Sequence, residues 1–173
     1  MFTGSKFEAT KDLETKDIAK LIRAELNEIS TTRRKGDRFE FRVRTGRSGW
    51  MSTIDITITA KPEDFPIHNR ERVQQDLNHV HHSHAPWMAE EAREFIARVE
   101  AIVNAYNWDK SDPMTDYHNS RFFQCVRFWH ELARADREKA EAELAPRDTI
   151  PVPANDVEEE PQVSFMRWVG VEV

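Results

Sequence analysis

Arg38-Phe39-Glu40-Phe41-Arg42-Val43-Arg44, then Gly46-Arg47-Ser48-Gly49, then Trp50-Met51-Ser52-Thr53-Ile54-Asp55-Ile56-Thr57-Ile58-Thr59 is the stretch that decides the fold. Apolar and polar residues alternate with a period of two, which is how a strand with one buried face reads. Phe39, Phe41 and Val43 fall on one side, with Arg38, Glu40, Arg42 and Arg44 on the other. In the second run Trp50, Ser52, Ile54, Ile56 and Ile58 share a face, opposite Met51, Thr53, Asp55, Thr57 and Thr59. The glycines at 46 and 49 supply the turn. The pattern predicts a β-hairpin with one wet face, rich in arginine and threonine.

Outside the hairpin the period changes. Upstream, Ile18, Leu21, Ile22, Leu26 and Ile29 recur at helical spacing. Thr15 is placed to cap and Asp17 to face the helix dipole, so a helix is expected over about 16–29. Downstream, Val73, Leu77 and Val80 suggest a short helix near 69–80. Ala92, Phe95, Ile96, Val99, Ile102 and Val103 form the stripe of a longer one that opens near Trp87-Met88. Residues 121–128 (Arg-Phe-Phe-Gln-Cys-Val-Arg-Phe) carry apolar side chains on both faces, which predicts a strand in the middle of the sheet. Residues 130–144 are helical by propensity, and their apolar stripe fades after Leu132 and Ala133, so the far end is expected to dock loosely.

These elements define an α+β protein: a small, mainly antiparallel sheet with two principal helices on one face, a polar C-terminal helix and a strand-like tail. The organisation is a polar lead-in (1–14), the α+β domain (15–144), an acidic Pro-rich linker (145–161) and the tail (162–173). At 173 residues there is enough chain for one core. No apolar run approaches the roughly 18 residues of a membrane span, and the first residues lack the apolar core of a signal peptide. A cytoplasmic location in a bacterial host is the expectation. The lone Cys125, flanked by Phe123, Val126 and Phe128, reads as a buried, inert thiol. Trp50, Trp108 and Trp129 read as core.

Net charge is -6, against general nucleic-acid affinity. It is unevenly spread: residues 1–50 hold twelve Lys/Arg and eight Asp/Glu, whereas residues 131–173 hold five and eleven.

Three segments together resemble a family carried in large polyvalent proteins of phages and conjugative elements, the large polyvalent-protein-associated domain 29. They are the leading helix at 18–26, the hairpin runs at 39–44 and 48–56, and Tyr106-Asn107-Trp108-Asp109-Lys110-Ser111-Asp112-Pro113-Met114-Thr115-Asp116-Tyr117 leading into Arg121-Phe122-Phe123. The Ser-Asp-x-Met-Thr-Asp-Tyr string is the most specific part. The resemblance covers roughly 15–128. It implies a small α+β module of mobile elements with no settled activity. The His-rich stretch and the extension from about 130 depart from it.

Several constellations are candidates for function. Ser111, Asp112, Thr115, Asp116 and Tyr117, with Asp109 and Asn107 beside them, offer oxygen ligands at alternate positions. They lack the central Gly and terminal Glu of an EF-hand, so a structured loop in which Asp and Ser hold backbone amides is expected. His79, His81, His82 and His84 are close enough in sequence to share a divalent ion. Arg38, Arg42, Arg44 and Arg47 on the wet face offer forks for carboxylate or phosphate. Phe165, Met166 and Trp168 in the tail are of the types enriched at interface cores. The tail is expected to add a strand to its own sheet or to another copy. No phosphate-cradling glycine loop, nucleophile elbow, paired-cysteine motif or HExxH occurs in the sequence. The favoured expectation is a non-enzymatic accessory protein that binds a host protein. Metal binding through the histidines, or nucleic-acid binding through the arginine face, are the alternatives. No cofactor is indicated unless the histidines hold a metal.

Overall fold

The computed structural model describes residues 2–30, 38–79, 85–111 and 119–145. In chain order its elements are β1 (Phe2–Thr3), α1 (Phe7–Thr10), α2 (Thr15–Ile29), β2 (Glu40–Ser48), β3 (Met51–Ala60), α3 (Arg70–Leu77), α4 (Glu90–Asn104), β4 (Trp108–Asp109), β5 (Phe123–Phe128) and α5 (His130–Leu144). The fold is α+β. A three-stranded sheet runs in the order β2-β3-β5, and β1 pairs with β4 in a second, two-stranded sheet. None of these helices is long and apolar enough to cross a membrane.

The hairpin forms as its periodicity dictates. Arg42 faces Thr57, Val43 faces Ile56 and Arg44 faces Asp55 across an antiparallel ladder. β2 runs further than the glycines suggest, so Ser48 pairs with Met51 around a two-residue turn at Gly49 and Trp50. Only Gly49 takes a positive φ there, at 60°, the type II′ pattern that matches strand twist. Trp50 is therefore at a hairpin tip, 70% exposed, and not in the core as its size suggested.

α2 and α4 lie against the apolar face of this sheet. Ile18, Ile22 and Leu26 of α2 are fully buried, and each stabilises the fold by about 1.5–3 kcal/mol relative to exposure. Phe95 of α4 stacks on Phe39 with centroids 3.7 Å apart, and Phe65 meets Phe39 edge-on at 4.9 Å. Ile54, Ile56 and Ile58 complete the contact from β3.

β5 corrects the expectation of a central strand. Among the described residues the strand it pairs with is β3, in parallel, with Asp55 opposite Cys125 and Thr57 opposite Arg127. Among the described residues β3 lies between β2 and β5, with β5 at the end of the order. Paired residues share a face, so Gln124, Val126 and Phe128 turn inward with the isoleucines, while Phe123, Cys125 and Arg127 turn outward. The outward phase is why Cys125 is exposed rather than buried. Two apolar-looking faces arose from a phenylalanine and a cysteine on the wet side.

Residues 2–14, read only as polar lead-in, are tied to the body. β1 pairs with β4, and Gly4 and Lys6 donate backbone bonds to Asn107 and Ala105. Arg121 donates to the Tyr106 carbonyl at 3.0 Å, to the Leu13 carbonyl at 3.2 Å and to Thr10, and its guanidinium lies 5.2 Å from the Phe7 ring centroid. Burial is the main cause holding the Arg121 pKa below its ordinary value. α5 also docks more firmly than its fading stripe implied. Asp136 and Ala140 are buried, and Arg137 reaches Asp76 on α3 at 3.3 Å.

Candidate functional site

The face of the three-stranded sheet away from α2 and α4 carries the site. Ladder pairing sets Arg42, Thr57 and Arg127 in one row across the strands, and Arg44, Asp55 and Cys125 in the next. Trp129 follows β5 directly, anchored by its N–H to the Ile58 carbonyl at 2.9 Å. Its ring comes under the Arg42 guanidinium at 4.7 Å, and His130 stacks alongside with centroids 6.0 Å apart and planes 22° apart. Arg42, Arg44, Asp55, Thr57, Arg127, Trp129 and His130 line an open cleft of about 410 Å³.

Electrostatics distinguish this face from an ordinary solvated one. Arg38 forms an ion pair with Glu40 at 3.5 Å. Among the described residues, Arg42, Arg44 and Arg127 form no ion pair, although Asp55 lies in their midst. Three guanidiniums around one carboxylate leave a local positive excess. Such forks recognise carboxylates or phosphates in pairs of hydrogen bonds. The N-terminus of α5 opens beside them with no side-chain cap, which adds to the attraction for an anion.

Of the arginines singled out in the sequence, Arg42 and Arg44 lie on this face. Arg38 sits before a register shift at Glu40/Phe41, and Arg47 pairs with Ser52, on the opposite parity from Arg44. Arg127, Trp129 and His130 were missed. Their signal is the phase of β5, legible only once its partner strand is known.

The other candidates separate. His79 is exposed at the end of α3 with φ 55°, its N–H donating to the Asp76 carbonyl at 3.1 Å. His81, His82 and His84 lie outside the described residues, among which no group of three or more His, Cys, Asp or Glu is placed to hold a metal. Ser111 is described: its N–H donates to Asp109 at 2.7 Å and its Oγ accepts from the Asn119 N–H at 3.0 Å. Lys110 donates to the Asn119 carbonyl at 2.8 Å, so the two ends of the acidic stretch are clasped. Asp112, Thr115, Asp116 and Tyr117 lie outside the described residues, as do Phe165, Met166 and Trp168.

A second polar cluster went unseen in the sequence. Asp136 of α5 accepts from the backbone N–H groups of Ile67 and His68 at 3.0 and 2.9 Å, and contacts His68 Nδ1 at 3.3 Å. Lys61 Nζ approaches at 3.4 Å and Arg70 at 3.7 Å. Burial pushes the Asp136 pKa up, but the His68 side chain, the two amides and the Lys61 charge outweigh it and hold it well below the ordinary 3.8. Its partners are amides and bases, with no nucleophile among them. Chemically it is a bolt between α5 and the segment that leads into α3.

No protein-family model, curated protein or solved structure matches the chain. The likeness to the polyvalent-protein domain thus stands on the quoted segments alone.

Proposed function

We propose that the chain is a non-enzymatic binding module that engages an acidic surface of a protein partner through its open arginine face. The observation that carries this reading is the cleft in which Arg42, Arg44 and Arg127 surround Asp55 without pairing among the described residues. Trp129 supplies a rigid apolar wall of the kind that anchors protein interfaces. The resemblance of the 106–117 stretch to mobile-element modules supports a setting: an accessory protein of a phage or conjugative element, in the cytoplasm of a bacterial host, modulating a host process or defence.

The test is affinity capture from host lysate with the natural chain and with an R42E/R44E/R127E variant. The expected result is a partner recovered by the natural chain and depleted at least tenfold with the variant. Recovery of the same proteins by both would overturn the reading.

One observation favours a second reading, single-stranded nucleic acid. Phe123 and Trp129 lie on the arginine side of the sheet, where bases can stack while arginines take phosphates. A gel-shift series in salt separates the two. Binding of an oligonucleotide at low salt that weakens steeply as salt rises supports nucleic acid, and no shift at low salt removes it.

A further inference from the structure

Arg42, Thr57 and Arg127 stand side by side on three neighbouring strands, and all three line the open cleft. Strands are spaced by about 4.8 Å, so the two arginines flank Thr57 about 10 Å apart from backbone to backbone. An arginine side chain is longer than one such spacing, so both guanidiniums can close over the Thr57 hydroxyl. The next row differs in charge. There Arg44 faces Asp55, which offsets it. Three guanidiniums less one carboxylate leave two positive charges in the cleft, and they belong to the row of Arg42, Thr57 and Arg127.

Charge and donor geometry select among anions. A carboxylate or a phosphodiester carries one negative charge. A phosphate monoester carries about -1.5 to -2 near neutral pH and offers three terminal oxygens. Of these, the monoester matches the charge of the row. Its oxygens can take a fork from each guanidinium and the hydroxyl of Thr57 between them. Arg42 is already oriented for this. Its guanidinium lies 4.7 Å over the Trp129 ring, which fixes its plane, and among the described residues no hydrogen bond claims its N–H groups. Trp129 and His130, with planes 22° apart, continue as a flat aromatic wall of the same cleft. An aromatic ring that carries the phosphate has a surface to lie on.

We propose that the anion this face recognises is a phosphotyrosine of the partner protein, its phosphate held between Arg42 and Arg127 over Thr57 and its ring against Trp129 and His130. The proposal rests on the reading of the arginine face as the partner-binding surface and adds the chemistry of what is bound. A partner group with a single negative charge would leave half of the row's charge unmatched. Recognition of this kind makes binding conditional on phosphorylation of the partner.

The test is calorimetric titration of the full chain with one short peptide in four forms: phosphotyrosine, sulfotyrosine, glutamate and unmodified tyrosine. The sulfate ester keeps the ring and the tetrahedral shape but carries one negative charge. The phosphotyrosine form should bind at least tenfold tighter than the sulfotyrosine or glutamate form, about the worth of one further hydrogen bond to a charged group. Arg42→Gln and Arg127→Gln, both at exposed positions, should each remove most of that preference with the melting temperature unchanged. Equal affinity for the phosphotyrosine, sulfotyrosine and glutamate forms would overturn the proposal and leave a carboxylate-bearing partner surface in its place. A preference for phosphotyrosine that both variants retain would also overturn it, as would binding of none of the four. An oligonucleotide that binds more tightly than the phosphotyrosine peptide and displaces it would overturn it in favour of nucleic acid. Failure of the underlying reading shows separately, as partner capture indifferent to R42E/R44E/R127E.

Discussion

Replacing Asp136 by alanine tests how α5 is held. The carboxylate is 2% exposed and accepts from two backbone amides at 3.0 and 2.9 Å, with Lys61 and Arg70 at 3.4 and 3.7 Å. Asp136→Ala orphans both amides at about 1–3 kcal/mol each, and leaves the Lys61 ammonium, itself 9% exposed, without its counter-charge. Breaking a buried ion pair from one side costs about 3–5 kcal/mol in all. At about 2–4 °C per kcal/mol for a chain this long, the melting temperature should fall by about 6–20 °C. Asp136→Asn keeps an oxygen for the amides and should lose less. The pH dependence has a definite sign. A carboxyl held below its ordinary value contributes stability that is full above about pH 4 and is lost as pH falls toward its folded value. Denaturant melts from pH 7 down to pH 2 should therefore show the natural chain losing stability between pH 4 and 2, with a flatter profile for Asp136→Asn. A fall of under 1 kcal/mol at pH 7 for Asp136→Ala, or parallel pH profiles, would refute the bolt.

Other perturbations follow from single contacts. A Cβ on Gly4 would sit 2.1 Å from the Asn104 carbonyl oxygen and 2.4 Å from that of Ala105, so Gly4→Ala should loosen residues 2–13 and speed their proteolytic cleavage, with unchanged cleavage counting against the docking of that segment. The single exposed thiol of Cys125 should react to one equivalent with an aromatic disulfide reagent in native buffer, and a need for denaturant would contradict its outward phase. Trp50→Ser should change stability by less than about 0.5 kcal/mol in urea melts, because the ring is 70% exposed at a turn. Stoichiometric zinc should leave the melting temperature within about 1 °C if His79 stands apart from a ligand set, whereas a rise of several degrees would revive a histidine site.

Much of the fold was legible because local periodicity and tertiary burial agree. The hairpin alternation at 39–58 and the helical stripes of α2 and α4 bury most of the face they display in sequence, with Trp50 and Leu21 the exceptions at 70% and 39% exposed. Caps and bounds shifted by a residue or two, as with Glu14 in place of Thr15 before α2. What escaped was whatever depends on partners distant in sequence. The position of β5 in the sheet is set by which strand it meets, and its own letters do not encode that. Asp136 looks like one more charge on a solvated helix until the segment at 61–70, almost seventy residues earlier, closes over it. The arginine face was half visible, since Arg42 and Arg44 alternate in plain view, but Arg127 and Trp129 join them only through the parallel pairing with β3.

The most direct measurement on the arginine face is a hydrogen-exchange footprint of the chain in complex with its captured partner. Slowed exchange is expected along residues 42–44, 53–57 and 125–130, with α2 and α4 unchanged. Protection confined to α2, α4 or the 106–111 stretch, with the sheet exchanging as in the free chain, would contradict the assignment of this face as the binding surface.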